Sequence, residues 1–304
     1  MSNINDYFAQ SELAQAAYGT FPSNVMTATE LTNDVVGMSS NQANEFISKW
    51  QVVAQSPYSI TGFSATVFES REDGAKYLAI RGTELSANDV VSSTLLALGW
   101  PSNFNPQFLA LKSQIENVWM QDPAVLQNQN FVVTGHSLGG HLAAAIKSSF
   151  PQATQGYLFN APGVGGILGN VADSLASVLG LGNISTDNLW NVRSSEGISF
   201  VAGLGYQLGT ATSIQTEATN SHGISTLVDA LAVQAVYAKL VPSISETQLN
   251  SILDALGSLN DSTSAPINKT LESALDALRF IALGPSDAKT DTRAKMKNEW
   301  RLAA

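Results

Sequence analysis

Gly135-His-Ser137-Leu-Gly139 carries the strongest chemical signal in the chain. The Gly-x-Ser-x-Gly pattern alone arises by chance about once in ten chains of this length. Its setting is what makes it specific. Phe131-Val-Val-Thr134 reads as a buried strand before it, and the alanine-rich run from Leu138 to Phe150 reads as a helix after it. A serine on a tight strand–turn–helix corner is exposed for attack, and the helix N-terminus aims free N–H groups at a developing oxyanion. Ser137 is therefore the expected nucleophile. It needs a base, and the chain has only three histidines. His136 sits inside the turn and should point away from Ser137. His141 lies one turn into the helix and should pack there. His222 remains, in the polar loop Thr219-Asn-Ser-His222-Gly, and is the expected base.

The third member should be a carboxylate at the end of a strand between serine and histidine, the chain order of α/β-hydrolases. Glu196 follows the predicted strand Leu189 to Arg193 and is preferred. Asp187 precedes that strand, Asp173 falls in a glycine-rich stretch, and Glu217 lies too close to the histidine loop. Asp229, beyond the histidine, remains a further alternative. The carboxylate's task is to hold the imidazole tautomer and stabilise its cation, which glutamate can do. Two N–H donors should form the oxyanion hole. One is Leu138, directly after the nucleophile. The other is expected at Thr83, where Ile80-Arg-Gly-Thr83-Glu ends a strand in a sharp turn.

The elements that must position these residues are partly legible. Asp6 to Tyr18 reads as a helix. Ser39-Ser-Asn-Gln42 is a capping box, opening a helix with Ala43, Phe46, Ile47 and Trp50 on one face. Gly62 to Glu69 and Lys76 to Ile80 read as a hairpin turning at Glu72-Asp-Gly74. Pro106 to Gln121 reads as a helix with Phe108, Leu111, Ile115, Val118 and Trp119 together. Gln155 to Asn160 is a further strand, and Gly223 to Leu240 a long helix around Leu227, Leu231 and Val236. Strands alternating with helices predict an α/β fold with a mostly parallel central sheet. Residues 1–242 are expected to form the catalytic domain and residues 243–304 a helical appendage. Residues 287–304 hold 5 of the 15 basic residues, which reads as a solvated helix face, with a docking or membrane-surface role as the alternative.

Composition narrows the classes. Among 304 residues, 13% are charged and the formal net charge is −10, which argues against a general nucleic-acid binder. Cysteine is absent, so thiol nucleophiles, disulfide scaffolds and cysteine-ligated metals are excluded. No run of about 20 apolar residues suggests a membrane span. Met1-Ser-Asn-Ile-Asn-Asp lacks the features of a signal peptide.

Phe131 to Ala143 and Ile80-Arg-Gly-Thr-Glu84 together resemble the class 3 (fungal-type) lipases. More closely, they resemble the lipase-like α/β-hydrolase region of bacterial secreted proteins. Gly62 to Phe68, Phe159-Asn-Ala-Pro-Gly163, Ser195-Glu-Gly197 and His222 leading into Asp229 to Val233 extend the likeness across residues 5 to 242. It implies Ser137 as nucleophile, His222 as base and Thr83 at the oxyanion position. Glu196 stands where the family usually has aspartate. It also implies a lid, for which Asn88 to Trp100 and Val164 to Leu181 are the apolar candidates.

The expected activity is hydrolysis of lipid carboxyl esters through an acyl-enzyme, of triacylglycerol lipase or phospholipase A type, needing no cofactor. The expected partner is an acyl-ester substrate at a lipid–water interface. The expected location is secreted, by a route other than an N-terminal signal, with a cytoplasmic location as the alternative. The alternatives in function are a short-chain carboxylesterase or polyester hydrolase, and a catalytically idle fold that binds lipid or a partner.

Overall fold

A computed structural model of the chain describes residues 4–56, 63–82, 106–162, 186–194, 209–214, 216 and 222–240. The first helix, α1 (Ile4–Ala16), is followed by the short α2 (Ala28–Thr32) and by α3 (Ser40–Lys49). The sheet begins with β1 (Trp50–Gln55), β2 (Ala65–Ser70) and β3 (Lys76–Ile80). After α4 (Pro106–Asn117) come β4 (Phe131–His136), α5 (Leu138–Ser149) and β5 (Ala153–Phe159). The last described elements are β6 (Leu189–Ser194), β7 (Thr210–Ile214) and α6 (Ile224–Leu240).

The seven strands lie in sequence order. β1, β2 and β3 pair antiparallel, and β3 through β7 run parallel. This is the mostly parallel α/β arrangement that the alternation of elements predicts. The β2–β3 turn is made by Gly74 at φ +73°, a conformation that glycine adopts without strain. Parallel strands are covered on both faces, and helices pack on each side of this sheet. On one face Ile80, Val133 and Leu158 pack with Leu111 and Ile115 of α4 and Leu142 and Ile146 of α5. On the other, Phe68, Tyr157 and Phe159 pack with Leu13 of α1 and Leu227 and Leu231 of α6. Helix α6 is buried nearly all round, which matches its largely apolar sequence.

Four details depart from the sequence reading. Trp50 is not the last residue of the α3 stripe but the first residue of β1, an unanticipated strand. Val118 does not join the face of α4. That helix ends at Asn117, and a 3₁₀ turn over Trp119–Gln121 swings Trp119 inward and leaves Val118 half exposed. The capping box at Ser39 is half made. Ser39 accepts the Gln42 N–H, but the Gln42 side chain turns inward to donate to Glu12. β7 is the fourth, its Thr-Ala-Thr-Ser-Ile run too weakly apolar to read as a strand. Residues 243–304 lie outside the described residues.

Candidate active site

β4 delivers Ser137 to the edge of the sheet's carboxyl end. The serine has φ 55° and ψ −127°, a strained conformation for a residue with a side chain. Two glycines make this turn geometrically possible. A side-chain carbon built on Gly135 would lie 2.4 Å from the Gly139 carbonyl oxygen. One built on Gly139 would lie 2.2 Å from the Ile80 carbonyl oxygen. The Ser137 N–H donates to Phe159 O of β5 at 2.8 Å, which locks the turn to the neighbouring strand. Ser137 is the N-cap of α5, yet its hydroxyl makes no capping bond. It lies 2.9 Å from His222 Nε2 instead.

His222 comes just before α6 and is half buried. Burial lowers its pKa from the ordinary histidine value, which favours the neutral ring that a general base requires. For Nε2 to take the serine proton, Nδ1 must carry the ring hydrogen. Nδ1 is buried and has no hydrogen-bond partner among the described residues. A buried donor in that state calls for an acceptor.

The candidate acids separate by position. Asp187 is exposed at the entry of β6, roughly 23 Å of extended strand from the carboxyl end. Asp229 is buried within α6 and does not bond His222 Nδ1. Glu196 and Asp173 lie outside the described residues, as does Glu217. Ser194, two residues before Glu196, ends β6 beside the site. Its N–H donates to Asn160 Oδ1 at 2.9 Å, and its hydroxyl bonds that of Thr216.

Leu138 opens α5, where first-turn N–H groups have no partner within the helix. Thr83 lies outside the described residues, which reach Gly82. Gly82 itself lies against the elbow, its potential side-chain position 3.2 Å from Ser137 Cβ. Both lid candidates, 88–100 and 164–181, also lie outside the described residues.

The other two histidines are fully buried. His136 does not face the serine. Its Nε2 lies 2.7 Å from the His222 carbonyl and its Nδ1 lies 2.8 Å from the Tyr18 hydroxyl. Burial, with the nearby His222, pushes its pKa down to about 3. His141 packs in α5, and burial lowers it to about 4. Sequence reasoning passed over two residues here, Tyr18 and Asn160. Asn160 Nδ2 donates to the His222 carbonyl at 3.1 Å, and its φ of 45° is one that asparagine tolerates.

Among the described residues no cluster of three or more His, Asp or Glu could hold a metal ion, and no helix is long and apolar enough to cross a membrane. No family model matches the chain, and no curated protein matches its sequence. Among solved structures it is similar to fungal lipases, the family that its motifs resemble. The Lip2 lipase of Yarrowia lipolytica aligns at TM-score 0.44 and 17% identity, over 72% of this chain and 82% of the other. Lipase II of Rhizopus niveus aligns at 0.44 and 15%, over 71% and 82%. The Rhizomucor miehei lipase in complex with its propeptide aligns at 0.43 and 16%, over 70% and 67%.

Proposed function

We propose that this chain is a serine ester hydrolase that cleaves lipid carboxyl esters, of triacylglycerol lipase or phospholipase A type. The observation that carries the reading is Ser137 on its strained turn, with Oγ 2.9 Å from His222 Nε2. His222 takes the proton as Ser137 Oγ attacks the ester carbonyl. The tetrahedral oxyanion is stabilised by the Leu138 N–H and by Thr83. The leaving alcohol departs with the proton from His222, and an acyl-enzyme remains. Water then attacks, with His222 again as base, and releases the acid.

Glu196 is proposed as the acceptor for the Nδ1–H of His222. Glu196 follows Ser194 by two residues in the sequence, and Ser194 ends β6 at the Asn160 bridge to His222. A carboxylate there would orient the ring and stabilise the imidazolium. A lipid acyl chain is preferred as substrate because the two lid candidates are strongly apolar, with Val90, Leu95 and Trp100 in one and Ile167, Val171 and Leu175 in the other.

The test is pH-stat release of fatty acid from emulsified long-chain triacylglycerol and from phosphatidylcholine vesicles, with Ser137→Ala alongside. Loss of the nucleophile should cost roughly a million-fold. Serine-dependent release from either substrate supports the reading, and the ratio between them names the lipid. Turnover of soluble short esters alone would make the protein a carboxylesterase. No turnover of any ester would sink the reading.

A further inference from the structure

The main-chain carbonyl of His222 accepts two side-chain hydrogen bonds, from His136 Nε2 at 2.7 Å and from Asn160 Nδ2 at 3.1 Å. These donors come from the ends of adjacent parallel strands, β4 and β5. We propose that Tyr18, His136 and Asn160 are positioning residues that clamp this carbonyl and thereby hold the His222 ring on Ser137. The proposal rests on the serine-hydrolase reading.

The protonation states follow from the partners. A carbonyl only accepts, so His136 must carry its hydrogen on Nε2. A neutral ring then has an accepting Nδ1, and the Tyr18 hydroxyl donates to it. Tyr18 is placed by the residues that follow β3: its ring lies under the Arg81 guanidinium, 5.5 Å from the centroid, and its hydroxyl sits against Gly82. Neutrality also suits the chemistry. The His136 and His222 rings are 5.2 Å apart, centroid to centroid. A charged His136 would oppose the imidazolium formed when His222 takes the serine proton, and burial prevents that charge.

Asn160 does a second job. It donates to His222 with Nδ2 and accepts the Ser194 N–H with Oδ1. One amide thus ties the base loop to the end of β6. An aspartate would fill the same space and keep the acceptor, but it would lose the donor and set a carboxylate against a carbonyl.

The test measures the rate of fluorophosphonate labelling of Ser137, beside kcat and KM for a soluble p-nitrophenyl ester, with Ser137→Ala as blank. Misplacing a catalytic group by about 1 Å costs on the order of a hundredfold. Asn160→Asp and His136→Leu should therefore lower both labelling and kcat by about ten- to a hundredfold, with KM little changed. His136→Gln, whose amide again offers a donor to the carbonyl, should recover most of the loss. Tyr18→Phe, which removes one oxygen atom, should lower the rate by a smaller factor and carries the test if Asn160→Asp does not fold. Folded variants labelled at the wild-type rate would overturn the clamp. So would a change confined to KM, or an equal loss in His136→Gln and His136→Leu. Wild-type protein that takes no label would overturn the serine-hydrolase reading and the clamp with it.

Discussion

Ser137 and His222 meet at 2.9 Å, and the two are held there by different means. The serine is held by main chain. Its turn follows β4 directly, its N–H is bonded to β5, and the glycines on either side leave no space for a side chain. The histidine is held by side chains that reach it from elsewhere, with Asn160 and His136 on its carbonyl and Tyr18 behind His136. The first arrangement is rigid and local. The second distributes the constraint, so its parts can be changed one at a time. The Ser137 side of the pair should accordingly fail all at once when its turn is altered, and the His222 side should fail by degrees.

The largest effect on stability should come from the Ser137 side. In Gly139→Ala the new carbon would lie 2.2 Å from a main-chain oxygen of β3. No side-chain rotation relieves that contact, so β3 or α5 must shift. Overpacking a core usually costs about 1–3 kcal/mol, and a backbone clash belongs at or above the top of that range. A loss of about 3 kcal/mol corresponds to a fall in melting temperature of roughly 5 °C for a chain of 304 residues. Scanning calorimetry checks it. An unchanged melting temperature would mean that the turn is not as closely packed as its geometry shows.

The same contrast explains what was legible in the sequence. Strand, turn and helix around Ser137 are consecutive, so local rules suffice to read them. The pairing of His222 with Ser137 is legible because only two other histidines compete with it. The clamp was not reachable, because its contacts join residues 118, 86 and 62 positions apart. The fold shows the same division. β4, α5 and α6 announce themselves through their apolar runs. β1 does not, because Trp50 also completes the helical spacing of Ala43 and Phe46, and only pairing with β2 makes it a strand. Val118 failed for a related reason. Periodicity carries a stripe forward, but it does not mark the residue at which the helix tightens into a 3₁₀ turn.

Acid should expose the next effect. His136 and His141 are neutral in the fold, with pKa values pushed down to about 3 and about 4. In the unfolded chain each returns to about 6.5. The unfolded state therefore binds more protons below pH 6.5, and stability falls as pH drops from there. Each histidine should remove about 2 kcal/mol of stability between pH 7 and pH 5. Urea midpoints at the two pH values give the slope, and His141→Gln should reduce it by one histidine's share. An equal slope in His141→Gln and wild type would show that His141 is charged, or absent from the linkage, in the native state.

The smallest effect distinguishes strain from chemistry at Ser137 itself. Ser137→Ala and Ser137→Gly both delete the hydroxyl, but only glycine adopts φ 55°, ψ −127° without steric cost. A side chain held in such a region costs about 1–3 kcal/mol. Glycine gives back roughly 0.5–1 kcal/mol through the greater freedom of the unfolded chain. Ser137→Gly should therefore be more stable than Ser137→Ala by about 1 kcal/mol, read as a difference in urea midpoint at an unchanged slope. If alanine proved the more stable of the two, the turn would store no strain. The rigidity of Ser137 would then rest on packing against β3 and β5 alone.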